Sequence, residues 1–416
     1  MAEPIRVLHV LGRLNMGGAE SRIMDLYRHM DREQVQFDFL VHYRLTDEDR
    51  RSGAGTDTDT LLRLRPAEDF DEEACALGAR IYVLPRFTGT NLHEYQKACR
   101  AFFAGHHGWA AIEGHMTSMA SVYLPIAKEA GVPVTIAHAR SAGVDAGIRG
   151  IATRIFRRSL PERCDIMMSC SRPASVSVFG EKAADSGKIM MVPNALDLSA
   201  FHYDAALRRQ MRTEYGIPED AFVIGHVGRF DAVKNQAFLA RVGSALRQPG
   251  QDDSSAAGAA APEGKTVPLR FLFVGEGRLR DDVLDAFAGA GLADQVIFAG
   301  LQPRERTAAL YQAFDLFTLP SLYEGLPGTV IEAQSAGLPC VIADTITEEV
   351  ALTDLVTRLP LADPAAWARI ITARMQTGTD RQEQSEQALR ILTDVGYEIK
   401  SAAARMQTFY TSLANR

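Results

Sequence analysis

Glu324 and Glu332 stand eight residues apart in the run Tyr323-Glu324-Gly325-Leu326-Pro327-Gly328-Thr329-Val330-Ile331-Glu332. Two carboxylates so placed can accept hydrogen bonds from hydroxyl groups on either side of a diphosphate. Between them lies the start of a helix, where small residues leave unpaired backbone N–H groups open to an anion. The apolar run 315–320 predicts a strand. Pro327 suits the first turn of a helix that passes through Glu332 to a stop at Gly337. Glu324 then lies in the loop, and Glu332 about one and a half turns inside the helix. On these residues alone, a pair of ordinary glutamates complementing the helix dipole is an equal alternative. The loop opens, however, on the carboxyl end of a strand, where open α/β sheets bind ligands. Ser321, Tyr323, Gly325, Leu326 and Pro327 would shape it.

A second charged pair could serve the same ligand. Residues 222–227 read as a strand, and Arg229 and Lys234 frame the loop after it. Two cations there can hold two phosphates and neutralise charge on a leaving diphosphate. Either alone is an ordinary surface cation, but both occupy the first loop of the domain whose fourth loop carries the two glutamates. Gly275, in Gly275-Glu276-Gly277-Arg278, and the turn Ala299-Gly300-Leu301 end the next two strands and would form the remaining walls. Near the N-terminus, Asn15-Met16-Gly17-Gly18-Ala19-Glu20 leads into an amphipathic helix. Gly17 and Gly18 would let a phosphate approach closely, with a plain tight turn as the competing reading. Neither domain shows a G-x-G-x-x-G fingerprint, which disfavours a nicotinamide cofactor. His115 and His138 fall at strand ends, where an imidazole can bond a sugar hydroxyl or move a proton. A ring bonded to backbone is the commoner fate there.

The elements that must position these residues alternate strand and helix throughout, the pattern of parallel sheets covered by helices. Strands are expected at 5–11, 37–42, 80–84, 110–113, 134–138, 166–170 and 189–192. After a turn-rich crossing at Pro193-Asn194-Ala195 the pattern restarts with 222–227, 270–274, 296–298, 316–319 and 340–343. This organisation gives two doubly wound α/β domains, 1–195 and 196–395, and a tail, 396–416, that crosses back. The chain's 416 residues fit that number. Residues 248–265, rich in Gly, Ala, Asp and Ser, read as a flexible surface insertion. A net charge of -7 argues against a dedicated nucleic-acid binder. No stretch approaches the apolar length of a membrane span, and the N-terminus enters a strand without a signal-peptide pattern, so a cytoplasmic location is expected. The five cysteines lack metal-ligand spacing and are expected as free thiols.

Taken together, these motifs resemble those of retaining glycosyltransferases of family 4, with wording similar to bacterial exopolysaccharide and capsule enzymes. The resemblance covers nearly the whole chain. It rests on Gly17-Gly18-Ala19-Glu20, Pro193-Asn194 with Asp197 and Phe201, Gly228-Arg229 with Lys234-Asn235, and Val274-Gly275-Glu276-Gly277. Phe298 to Gly300, Glu324-Gly325-Leu326-Pro327 and Glu332-Ala333 complete it. It implies a GT-B fold: two Rossmann-like domains facing a central cleft, with the C-terminal helix returning to the first. It further implies that Arg229 and Lys234 bind the donor diphosphate, Glu332 the nucleotide ribose and Glu324 the donor sugar. The stretch from Phe298 to Leu301 would bracket the base, and the Gly17-Gly18 loop would close on phosphate and acceptor. His138 matches the family's first-domain histidine near the donor sugar. Where relatives show His-Ser-His-Asn this chain has His138-Ala139-Arg140-Ser141, so the second histidine's role is absent or passes to Arg140. Asn15, His115 and Arg140 are the acceptor-side candidates.

The implied reaction is transfer from a nucleotide diphosphate sugar, UDP before GDP, to a saccharide or lipid-linked acceptor in surface polysaccharide synthesis. Front-face substitution with retention is the family-based expectation, since no clear nucleophile is offered for a double displacement. Two cations and a helix start can stabilise the leaving group unaided, and no Asp-x-Asp stands in a suitable loop. No metal and no cofactor are therefore expected. The segment 149–163, basic with interleaved apolar residues, offers a peripheral contact with an anionic membrane. A solvated helix packing Ile151, Ile155, Phe156 and Leu160 inward is the alternative. Rival functions are a nucleotide-sugar epimerase of the same architecture and a catalytically silent sugar-nucleotide-binding subunit.

Overall fold

The computed structural model describes residues 3–53, 55–140, 148–247 and 267–414, with side chains except those of residues 148–152. The insertion expected at 248–265 lies outside the described residues. Two compact units form: Met1–Asp197 with Gly396–Arg416, and Leu198–Val395.

Unit 1 holds a sheet of β1 (Ile5–Val10), β2 (Val35–Tyr43), β3 (Ile81–Pro85), β4 (Trp109–Gly114), β5 (Val134–Ala139), β6 (Ile166–Ser169) and β7 (Ile189–Met191). Their order is β3-β2-β1-β4-β5-β6-β7. Every pairing is parallel. Successive side chains point to opposite faces, and helices cover both, so apolar side chains are buried on both sides of the sheet. Val7, Phe37, Phe39 and Ile136 lie in a core shared with the helices Gly18–Arg28 and Ile399–Leu413. Leu8, Leu40, Ile112 and Ala137 lie in the other, with Leu92–Gly105 and Thr117–Glu129. The expected tail, 396–416, holds one helix, Ile399–Leu413. The preceding helix, Arg381–Asp394, belongs to unit 2; the chain then turns at Gly396, with φ +95°, and crosses back to unit 1. Backbone bonds from Leu196 N to Tyr397 O (2.9 Å) and from Ile399 N to Leu196 O (3.1 Å) tie the returning segment to the crossing.

Unit 2 holds β8 (Phe222–Val227), β9 (Leu269–Val274), β10 (Val296–Gly300), β11 (Leu316–Leu319), β12 (Cys340–Ala343) and β13 (Val356–Leu359), in the order β10-β9-β8-β11-β12-β13. These pairs are parallel too. The sequence reading expected five strands and missed β13. Val356-Thr357-Arg358-Leu359 is a half-buried edge strand with two polar residues, and such a run carries little hydrophobic signal. Pro327 precedes the helix as its N-cap residue, with φ -70° and ψ 115°, and the helix itself is Gly328–Ser335. A proline's fixed φ suits that position, but its extended ψ keeps it outside the helix. Among the described residues no helix is long and apolar enough to cross a membrane.

In each sheet the strand order reverses beside the first strand of the unit, between β1 and β4 and between β8 and β11. Loops at the carboxyl ends diverge there and leave a crevice.

Candidate functional site

The crevice between β8 and β11 is where unit 2 brings its charged residues together. Lys234 Nζ donates to Glu324 Oε1 at 2.5 Å, and Ser321 Oγ donates to the same oxygen at 3.0 Å. Both members of the ion pair are largely covered, with 19% and 17% of their side-chain surfaces exposed. Local bonds fix the two loops against each other. Leu322 N bonds Val233 O at 2.7 Å, and Asn235 Nδ2 bonds Pro320 O at 3.1 Å. Asn235 is the one non-glycine residue with positive φ among the described residues, at +52°, a conformation that asparagine tolerates better than most. Asp231 Oδ1 accepts from the backbone N–H groups of Val233 and Lys234, at 3.1 Å each, turning the chain so that Lys234 faces β11.

Arg229 is exposed, and its side chain makes no hydrogen bond or ion pair among the described residues. It follows Gly228, where an added Cβ would come within 3.4 Å of Lys234 Cε, so the lysine stem runs over the Arg229 loop. Gly275, at φ +135°, packs against that loop so closely that a Cβ would stand 2.3 Å from Gly228 O. Only glycine fits there. Gly275 N bonds Gly300 O at 2.8 Å, bringing the end of β10 beside the same loops. Phe298 stacks on Phe273 at 5.6 Å with the Arg280 guanidinium 4.5 Å over its ring, and Leu301 is 78% exposed. Gly325 and Leu326 are half-buried and Pro327 buried.

Glu332 is 8% exposed, and Tyr311 donates its hydroxyl to Glu332 Oε2 at 2.9 Å. Thr329 Oγ1, three residues earlier on the same helix, is buried and meets no hydrogen-bond partner among the described residues. Residues three apart share a helix face.

In unit 1 the histidines belong to a buried network around Glu113. Register places His9 beside Glu113 and Glu113 beside Ile136, so His138, two residues on, shares that face. His138 Nδ1 lies 2.7 Å from Glu113 Oε1, Tyr410 of the returning helix donates to Glu113 Oε2 at 2.5 Å, and His9 Nδ1 lies 3.0 Å from His115 Nε2. Arg140 reaches His115 Nδ1 at 3.4 Å and Asn194 Oδ1 at 3.0 Å. Burial pushes His9 and His138 down to about 4 and His115 well below the usual imidazole range. Glu113 is held well below the usual carboxylate range; burial works against this, and the His138 hydrogen bond with the neighbouring imidazoles outweighs it. The neutral His138 ring therefore carries its proton on Nδ1, leaving Nε2, buried and without a partner among the described residues, to accept one. His9, Glu113 and His115 have the donor atoms of a metal site, within 4.8 Å of one another. Hydrogen bonding already engages those atoms, and the Arg140 guanidinium, 4.0 Å from Glu113, adds a positive charge that disfavours a second cation.

Gly17 caps the helix Gly18–Arg28 without a side-chain bond. A Cβ there would collide with the Glu20 carboxylate, so this helix start is covered by an anion of its own. Glu20 is raised, chiefly by burial. Asn15 is half-buried, and its carbonyl accepts from Gly17 N at 2.6 Å. In the basic segment, Arg154, Ile155 and Arg158 are exposed, whereas Phe156 packs edge-on to Phe87 and Leu160 is buried; Ile151 lies outside the described side chains.

Sequence reasoning thus placed Lys234 and Glu324 in one crevice and missed Tyr311, His9, Tyr410 and the role of Glu113. No local signal marks Tyr311 or Tyr410, whose partners lie 21 and 297 residues away.

Comparison with known proteins bears on the same elements. Residues 221–376 match the family described as Glycosyl transferases group 1. The chain is 30% identical over 410 residues to the "Putative glycosyltransferase EpsF" of Bacillus subtilis, covering 97% of this chain and 96% of that one. It is 25% identical over 224 residues to an Escherichia coli enzyme, UDP-Gal:alpha-D-GlcNAc-diphosphoundecaprenol alpha-1,3-galactosyltransferase, covering 52% and 53%. The crystal structure of Anabaena HepE in complex with UDP and glucose superposes with a TM-score of 0.68 at 15% identity, over 98% of this chain and 100% of that one.

Proposed function

The chain belongs to the glycosyl transferases group 1 family, with a GT-B fold, and we propose that it moves a sugar from UDP to a saccharide or lipid-linked acceptor in surface polysaccharide synthesis. The observation that carries this reading is the Lys234–Glu324 pair at the β8/β11 reversal, beside an exposed Arg229 and the start of the Gly328–Ser335 helix. The UDP in HepE and the UDP-sugar and diphospholipid in the name of the Escherichia coli relative favour a uridine donor and a lipid-linked acceptor.

In this reading Arg229 and Lys234 take the diphosphate, Glu324 the donor sugar and Glu332 a ribose hydroxyl. The bond from the anomeric carbon to the β-phosphate oxygen breaks with its electron pair going to the phosphate. The acceptor oxygen bonds the anomeric carbon on the same face and gives its proton to the departing phosphate. Retention follows. Cations fixed beforehand stabilise the charge that develops on the leaving group, and we read the transfer as metal-independent on that ground. His138 Nε2, Asn15, His115 and Arg140 are the unit 1 candidates for sugar and acceptor contacts. The exposed Arg154, Ile155 and Arg158 offer a peripheral contact with an anionic membrane surface, where a lipid-linked acceptor resides.

Screening UDP- and GDP-sugars for hydrolysis and transfer, with and without EDTA, tests the reading. Lys234→Ala should lower turnover about 100- to 1,000-fold with the fold intact. Near-normal turnover by that variant, or activity abolished by EDTA and restored by a divalent ion, would count against it.

A further inference from the structure

We infer that Tyr311 is a positioning residue that fixes the Glu332 carboxylate for a donor ribose hydroxyl, an inference that rests on the role proposed above for Glu332. Tyr311 is 0% exposed, and its hydroxyl lies 2.9 Å from Glu332 Oε2 and 3.2 Å from Thr329 O, both on the Gly328–Ser335 helix. A carboxylate on a free side chain samples several rotamers. Donation to Oε2 restricts which of them Glu332 adopts. The ring that carries the hydroxyl is itself immobile, packed edge-on to Phe201 and Phe314 at 5.5 Å each.

The helix beneath it, Arg304–Ala313, is clamped at its carboxyl end by cations. Arg208 Nη1 donates to Phe314 O at 2.8 Å, and Arg381 donates to Phe314 O at 2.8 Å and Gln312 O at 3.0 Å. Arg212 Nε donates to Ala313 O at 3.2 Å. Three arginines on one helix terminus satisfy carbonyls that would otherwise lack partners and oppose the negative end of the dipole. The clamp holds the last turn of the helix, where Tyr311 sits, so the phenol oxygen is delivered to one place. Glu332 would then meet a hydroxyl without first ordering itself, and the affinity gained is specific to ligands that carry that hydroxyl.

The experiment compares UDP with 2′,3′-dideoxy-UDP by calorimetric titration against the full chain, Tyr311→Phe, Glu332→Gln and the double variant. Phenylalanine keeps the ring contacts with Phe201 and Phe314, and a thermal melt near that of the parent chain establishes folding. The expected result is a loss of about tenfold in UDP affinity for Tyr311→Phe, with dideoxy-UDP affinity unchanged. The double variant should bind UDP no more weakly than Glu332→Gln alone, since both changes disable one contact. A merely structural tyrosine would weaken both ligands equally, and that outcome, or no change in either, overturns the inference while leaving the ribose role of Glu332 standing. If the parent chain does not prefer UDP over the dideoxy form, or Glu332→Gln leaves that preference intact, the ribose role falls and the inference with it.

Discussion

Acidification should unfold unit 1 well before unit 2. Unit 1 buries His9, His42 and His138, each pushed down to about 4 chiefly by burial, and His115, held well below the usual range, again chiefly by burial. Unit 2 buries His226, pushed down to about 3 by burial and by the Lys234 charge. The sign follows from linkage. Above the unfolded imidazole value, near 6.5, both states are neutral and nothing depends on pH. Below it the unfolded chain takes up protons that the native rings refuse, so stability falls until the folded values are reached. Between pH 7 and 5.5 each such ring costs on the order of 1 kcal/mol. Unit 1, with four such rings, therefore loses several times as much stability as unit 2, with one, and the difference is a sizeable part of the marginal stability of a domain. Below the ordinary carboxylate range the depressed Glu113 adds a loss of the same sign in unit 1. The chain has two tryptophans, buried Trp109 in unit 1 and Trp367 in unit 2, so each unit carries its own fluorescent reporter. Trp367→Phe leaves the unit 1 signal, and Trp109→Phe the unit 2 signal. Urea titrations of the two variants at pH 7, 6.5, 6 and 5.5 should show the Trp109 midpoint dropping steeply and the Trp367 midpoint nearly flat. Parallel midpoints across that range would refute the assignment of neutral imidazoles to the Glu113 network.

The same network gives a second expectation. Tyr410→Phe strips a donor from a buried carboxylate and should destabilise unit 1 by about 1–3 kcal/mol, read from the Trp109 midpoint, with the Trp367 midpoint unmoved. At the surface, Arg154→Glu with Arg158→Glu should weaken sedimentation with phosphatidylglycerol vesicles by about 30-fold or more, in a salt-dependent way. Equal binding by parent and variant would remove the membrane contact. Gly275→Ala should damage unit 2 more than most surface changes, because its Cβ would press on the Gly228 carbonyl at a backbone angle that alanine avoids. A melting temperature like that of the parent chain would contradict the close packing of the two loops.

What was legible in the sequence is what strand ends deliver. Lys234 and Glu324 are 90 residues apart, yet each follows a recognisable strand, and a doubly wound order puts the first and fourth strands of unit 2 side by side. Position in an alternating pattern was therefore enough to bring the pair together. Position was not enough for His138. Its strand-end placement suggested a ring reaching a ligand, but did not show that the register with β4 brings Glu113 onto the same face, where it meets Nδ1. Which atom of a polar strand-end side chain is already engaged depends on which residue the neighbouring strand presents, and a single chain's pattern does not encode that. Tyr311 shows the converse. Its helix reads as ordinary, and its ring as one more core aromatic, because the property that distinguishes it is a hydroxyl aimed across a helix interface at Glu332. The glutamate pair was visible because charge is rare in such a loop; what orients Glu332 was hidden because tyrosine is common in cores.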